Sequence, residues 1–488
     1  MKKLKILLIF LMIAGLSGCK QSFFDVNKPS NKIDEETVPV QTQLTYIEYQ
    51  LGNLHFSIAS ATAQYSQQLA SYHVAGADIH EKTSLSGAWL RYYTRILANL
   101  RVLERKAEKD NSVYYLAIGK ILRVMATQLA TDQWGDIPYT EAGYGSANLT
   151  PAVDPQQKIY QDDLLPALDE AIALLQSGNS VAPVPGSDDI FYGGDLDRWL
   201  KAAYTLKARI LLHLTKRFGT QYTDDIVAAL QHGITDNAED MEVYYGGTDL
   251  NPWYSWAVAA RNTGNLSVLW SEQLIGFMNN TRIPLDSLDY DPRLPLYADN
   301  EGDSLYVGAV NGSGGTVGPN GLSPNANVAN ASYFTETSPI FILTNMEARF
   351  IEAEAQMLAG NKQAAYQAYM AGIQASLQKT GVTPGDIDAY LAEPAVNLNG
   401  NADNLTLSHI MVQKFIALIV HPEIWTDLRR YDFSSDIYPD LDFPMNRTDE
   451  IPADEWPRRA VYPESEVSRN PNLEQITEYW APVWWDQH

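Results

Sequence analysis

The segment Asn251-Pro252-Trp253-Tyr254-Ser255-Trp256, followed by Arg261-Asn262, gathers three rings with amide and guanidinium groups on one short stretch. Such a set suits a sugar: a ring face covers the C–H surface of a pyranose, and Asn or Arg takes its hydroxyls. Peptide side chains suit the same rings. Tyr72, Asp78 and His80 belong to a second polar–aromatic stretch that could meet the first. The expected ligand-binding set is therefore Trp253, Tyr254, Trp256, Arg261, Asn262, Tyr72, Asp78 and His80. The plainer alternative is that the rings pack their loops onto the rest of the fold. Trp89, Tyr92 and Tyr93 stand at helical spacing and read as core, and Trp134 reads as part of a structural turn.

Residues for catalysis or metal binding do not assemble in the same way. GxSxG, Walker and HExxH patterns are absent. The eight histidines are scattered; His73 and His80, the closest of them, are seven apart. Asp299, Glu301 and Asp303 occupy the first, third and fifth places of a calcium loop, but Ser304 and Val310 stand where that loop needs Gly and Glu. They read as a solvated acidic turn. The glycine run at 311–315 has no following Lys or helix and reads as a flexible loop. Among 59 acidic residues no glycosidase pair stands out, so a surface hydrolase remains only an alternative. The expectation is no catalytic residue, no metal and no cofactor.

A formal charge of −24 without a basic stripe argues against nucleic acid as a partner. The single Cys excludes internal disulfides. That Cys closes a leader: Lys2, Lys3 and Lys5 precede the apolar run Leu7–Ile13, and Leu16-Ser17-Gly18-Cys19 resembles a bacterial lipobox. The expected organisation is a signal peptide over 1–18, a lipid-anchored tether over 19–40 with lipid on Cys19, and one folded domain over 41–488. The apolar run is too short for a good span, so the chain is expected on a membrane by its lipid alone. An ordinary signal peptide with an incidental thiol is the alternative.

Helices must position these groups. Apolar residues at three-to-four spacing predict helices over 42–69, 88–109, 113–129, 159–175, 196–217, 340–359, 363–378 and 406–420. Those over 340–359 and 363–378 meet at Gly360-Asn361. Their Ala353, Ala355, Ala364, Ala365 and Ala368, with Tyr366, resemble a tetratricopeptide hairpin. The helices over 113–131 and 159–175, and those over 196–217 and 224–232, resemble degenerate relatives of it. Long irregular stretches lie between, at 72–86, 131–154, 242–265, 286–339 and 432–488. A few short hairpins are expected within 286–339. Loops of this length in a compact protein are usually functional.

Taken in order, several short motifs resemble the SusD/RagB lipoproteins of Bacteroidetes, in the SusD-like branch. They are the lipobox with Phe24-Asp25-Val26-Asn27, then Trp89-Leu90-Arg91-Tyr92-Tyr93 and Gly135-Asp136-Ile137-Pro138. Asp291-Pro292-Arg293, Glu352-Ala353-Glu354-Ala355, Trp425-Asp427-Arg429-Arg430 and Arg459-Tyr462-Pro463 follow. The resemblance implies an all-α fold: tetratricopeptide-like hairpins in a right-handed superhelical scaffold with a loop-rich second lobe. It implies a non-enzymatic outer-membrane lipoprotein, exposed on the cell surface. Such a protein captures an oligosaccharide or peptide and delivers it to a SusC-like TonB-dependent barrel. A tetratricopeptide-type interaction scaffold is the remaining alternative. The family's binding residues vary, so the aromatic site rests on the residues alone.

Overall fold

The computed structural model describes residues 38–181, 183–303, 305–316 and 323–488. The leader, Cys19, nearly all of the tether and Phe24–Asn27 lie outside them. The body is all-α, built of helical hairpins with long loops, and residues Val40–His488 form one compact unit. No helix among the described residues is long and apolar enough to cross a membrane.

The first helix, α1 (Val40–Tyr65), buries Leu44, Ile47, Leu51, Leu54 and Ile58 along one stripe. Its opposite face carries the half-buried Tyr49, Asn53 and Phe56. A second helix, α2 (86–109), contains a wide π turn at Arg91–Leu97. Then come α3 (Val113–Trp134) and α4 (156–176), which pack as one hairpin. Next are α5 (Leu196–His213) and α6 (Thr223–Leu230), then α7 (Asn345–Leu358) and α8 (Lys362–Thr380), each pair packed together. Asp195 caps α5 by accepting from the amides of Asp197 and Arg198. Gly360 makes the α7–α8 turn in the left-handed region, φ +81°. Two further helices, α9 (Leu407–Ala417) and α10 (Pro422–Arg430), complete the bundle.

Four two-stranded antiparallel ladders tie the loops down. They pair β1 (Leu69–Ser71) with β5 (Val268–Trp270), and β2 (Ile137–Pro138) with β3 (Val153–Asp154). They also pair β4 (Met241–Val243) with β8 (Ile340–Leu343), and β6 (Ala298–Asp299) with β7 (Asn327–Val328). The last of these is the only ladder lying wholly within 286–339 among the described residues.

Four details depart from the sequence reading. Ile340–Leu343 is a strand, because a short apolar run fits either state and pairing with β4 decides it. Thr344 then caps α7. The first helix stops at Tyr65, since Leu69–Ser71 pairs with β5. Trp134 ends α3 rather than sitting in a turn; it is buried, and its Nε1 donates to the Ser84 carbonyl. The stretch at 242–265, read as irregular, is helical over Tyr254–Ala259 and Ala260–Asn262.

Charged groups lock the helices together inside the core. Arg209 pairs with Glu347 at 2.6 Å. Glu354 on α7 meets Arg430 at 2.6 Å and Lys414 at 3.4 Å, and Asp427 holds the same two cations at 2.6 and 2.8 Å. The irregular final stretch returns to this core: Trp485 Nε1 donates to Asp132 at 2.8 Å, and Asp486 pairs with Lys216 at 2.7 Å and Arg458 at 2.9 Å.

Candidate functional site

The aromatic stretch folds as a wide π turn, a helix irregularity often found at functional sites. Asn251 nucleates it, its Oδ1 accepting from the amides of Trp253 and Tyr254 at 2.7 and 3.2 Å. Trp253 is only 4% exposed and meets Phe56 of α1 edge to face at 4.8 Å. Trp256 is half-buried, 5.7 Å from Trp253 and 6.1 Å from Phe56. Tyr254 stays half-exposed, and its hydroxyl is raised above the ordinary tyrosine range by a hydrogen bond to Glu336. Arg261 is already engaged by the Val328 carbonyl at 3.0 Å, Asp299 at 3.3 Å and Glu301 at 3.6 Å. The acidic turn thus has a protein cation. Asn262 is exposed.

The second stretch divides in two. Tyr72 is half-buried; its amide donates to the Ser267 carbonyl, and Ser267 Oγ donates to the Trp256 carbonyl at 2.9 Å. Tyr72 and the π turn thus share Ser267, the residue just before β5, as a partner. Asp78 and His80 are 1% and 0% exposed and cannot present a polar face to a ligand in this structure. Asp78 accepts from Asn311 Nδ2 and from the Gly312 amide, both at 2.7 Å, and so anchors the glycine loop. Burial pushes its carboxyl up to about 6. His80 packs 4.9 Å from Trp456 and accepts from Arg447 Nε at 3.3 Å. Burial, and then the Arg447 charge, push it down to about 3. Both residues are placed by the loops they hold.

Beside these loops lies a cleft of about 1060 Å³ that single-stretch reasoning misses. Its walls come from three segments: Glu272–Arg282, Asp289–Tyr290 and the loop over 305–316, with Asn325 at one side. Tyr290, 37% exposed, and Tyr306 form a ring pair, centroids 5.6 Å apart and planes at 72°. Asn279, Asn280, Thr281, Arg282, Asp289 and Asn325 supply hydrogen-bonding groups. Apolar edges come from Leu305, Val307 and Val310, all exposed. Tyr290 is held in place by the turn after it: Asp291 and Arg293 are buried and paired at 2.6 Å, with Arg293 also bonded to Ser376 and Gln413.

The glycine loop closes one wall. Gly312 has φ +77°, and a Cβ there would lie 1.7 Å from the Met445 carbonyl oxygen. Only glycine permits both the conformation and the approach. Gly315 donates to the Tyr72 carbonyl at 2.8 Å and lies against the Tyr72 ring. The cleft and the aromatic stretch are thereby linked through Tyr72. The clue in the sequence was the length of the irregular region after residue 286.

Asp132, His213 and Glu423 bring potential metal-ligating atoms within 4.8 Å of one another. Their atoms already serve one another and the core. Asp132 accepts from Tyr160, Gln128 and Trp485, and Glu423 meets His213 Nε2 at 2.7 Å and accepts from Gln128 at 2.9 Å. This is a buried hydrogen-bond network in which both carboxylates and the imidazole are engaged, well suited to fixing helix register.

Comparison with known proteins gives a consistent result. A family model, SusD-like_2, described as starch-binding and associating with the outer membrane, matches residues 27–463. A SusD homolog from Bacteroides uniformis superposes with TM-score 0.73 at 20% identity, covering 92% of this chain and 99% of that one. A structure named as a chitin-binding protein gives 0.73 at 22%, covering 92% and 100%. A chitin-binding SusD homolog from Flavobacterium johnsoniae gives 0.68 at 22%, covering 92% and 97%. These superpositions establish the shared fold. No curated protein matches the chain.

Proposed function

Because the chain belongs to the SusD-like family of starch-binding proteins that associate with the outer membrane, we propose that it captures a glycan on its loop lobe for delivery to a partner TonB-dependent β-barrel. The observation that carries this reading is the cleft: a ring pair, the exposed Tyr290 and the half-buried Tyr306, among three amides and the hydroxyl-binding groups of Thr281, Arg282 and Asp289. That is the composition a pyranose needs, with C–H faces on rings and hydroxyls on Asn, Asp and Arg. Tyr254, Trp256, Asn262 and Tyr72 extend the surface beyond the cleft; Trp253, Asp78 and His80 support it from behind. Chitin-binding neighbours of the same fold favour a glycan over a peptide as cargo.

The mechanism is capture without chemistry. Rings and amides hold a glycan fragment, and binding stays moderate so that the cargo can be released into the barrel. The Cys19 lipid would hold the protein on the outer membrane, on the cell surface. The test is calorimetric titration of starch and chitin oligosaccharides into wild type and a Tyr290→Ala/Tyr306→Ala variant. Each ring contributes ~0.5–1.5 kcal/mol beyond its buried area, so the double change should weaken binding roughly ten-fold. Unaltered affinity would remove the cleft from the site. Recovery of a TonB-dependent barrel with the tagged, lipidated protein from solubilised outer membrane tests delivery, and its absence would leave a free-standing binding protein.

A further inference from the structure

The outer face of α1 leads away from the π turn to a second group of rings. Seven residues, about 10 Å of helix, separate Phe56, which touches Trp253 and Trp256, from Tyr49. Tyr49 meets the ring of Tyr245 at 6.1 Å. Arg91 stands beside them, at the start of the π turn of α2. A shallow groove of about 470 Å³, bordered by Tyr46, Tyr49 and Asp188, adjoins them.

Arg91 belongs, with Arg101, Arg429, Arg447 and Arg459, to the half-buried and buried arginines that lack a carboxylate partner among the described residues. Arg123, Arg209, Arg293 and Arg430 each end on a carboxylate. Arg91 makes no ion pair among the described residues; its one hydrogen bond goes to the Gln50 amide oxygen. The titratable groups that act on it most are Arg95 and the tyrosines 49, 245 and 46. Its Nε is buried without an acceptor. The Tyr245 hydroxyl, on a side chain 7% exposed, is likewise buried and unpartnered. Asp249 lies near Tyr245, and Asp188 already accepts from Tyr115; neither meets Arg91. An uncompensated guanidinium beside aromatic faces suits an acceptor that carries negative charge.

We infer that Arg91, with Tyr245 and Tyr49, forms a subsite for an anionic substituent of the glycan, the carboxylate of a uronic acid or a sulfate ester. This rests on the glycan reading and narrows it to acidic polysaccharides. The ring faces take the sugar, the half-buried Arg91 guanidinium takes the anionic oxygens through its terminal nitrogens, and Arg95 adds charge from the next helical turn.

The test is titration of the full chain with two matched pairs: oligogalacturonate against its carboxyl-reduced form, and a sulfated glycan oligosaccharide against its desulfated form. Wild type should favour the anionic member of at least one pair about ten-fold, the gain from one charge-assisted contact. Which pair discriminates identifies carboxylate or sulfate. Arg91→Met should bring that ratio to within two-fold, and Arg91→Lys should keep part of it. Circular dichroism checks that each variant is folded. Equal binding of both members in both pairs overturns the subsite and leaves the glycan reading standing. A preference that survives Arg91→Met overturns it too. No binding of these or any neutral glycan overturns the glycan reading, and the subsite with it.

Discussion

Glu354 offers a sharp test of how the helical lobe is held. Its carboxylate is fully buried, with Oε1 accepting from Tyr431 at 2.5 Å and from Arg430 at 2.6 Å, while Oε2 faces Lys414 at 3.4 Å. Glu354→Gln can keep both Oε1 hydrogen bonds. It loses the negative charge and turns an NH2 toward the Lys414 ammonium. Two cations then face Asp427 alone. Breaking a buried pair on one side costs ~3–5 kcal/mol. Unfolding entropy of ~2.1 cal/mol/K per residue over the unit Val40–His488 gives about 0.9 kcal/mol/K. Tm should therefore fall by about 3–5 °C in scanning calorimetry at pH 7. Adding Lys414→Met removes the excess cation and should recover more than half of the loss. Burial works to raise the Glu354 carboxyl, but Arg430 and Lys414 prevail and hold it below its ordinary value. Its contribution is present above the unfolded pKa and lost as pH falls through the folded one, so the wild-type advantage should close below about pH 4. A drop under 1 °C, or no recovery in the double variant, would refute the idea that charge balance is what Glu354 provides.

Other outcomes follow from the same geometry. Burial, followed by the neighbouring His421 charge, pushes the His55 imidazole well below its ordinary value, and both of its nitrogens are unpartnered. The unfolded state takes up that proton first, so His55→Leu should gain Tm over wild type as pH drops from 8 to 5; a gain independent of pH would contradict this. Gly312→Ala must move the loop off Met445 and should cost ~1–3 kcal/mol while weakening glycan binding; calorimetry and titration read the two effects, and an unshifted Tm would contradict the packing. Asp78→Ala should release the same loop, weakening glycan affinity several-fold although the side chain never reaches the surface, and unchanged affinity would dissociate the loop from the site.

The hairpins were legible because their signals are local. Gly360-Asn361 announces the α7–α8 turn, and Asp195 caps α5 where an acidic residue precedes an apolar stripe. What escaped was whatever depends on a distant partner. Ile340–Leu343 becomes a strand only because Met241–Val243 lies beside it. Trp253 is buried because Phe56 covers it, and no spacing rule connects residues 56 and 253. Glu354 and Asp427-x-Arg429-Arg430 stood out as separate motifs; that they form one ion network is visible only in three dimensions. The cleft is assembled from three segments, each ordinary alone. Its aromatic residues, Tyr290 and Tyr306, are also isolated in sequence, so they lacked the density that drew attention to Trp253–Trp256.

The return of the final stretch to the helical core has a consequence for biogenesis. Asp132 must wait 353 positions for the Trp485 indole. Lys216, whose side chain is almost wholly enclosed, depends on Asp486. While the ribosome is still working through that distance, the early hairpins have apolar faces to collapse on but an interior charge and a carboxylate still exposed to water. The same arrangement makes closure conditional on length: a chain ending ahead of residue 485 would keep every helix through Val467 but leave Asp132 without its indole donor and Lys216 without Asp486.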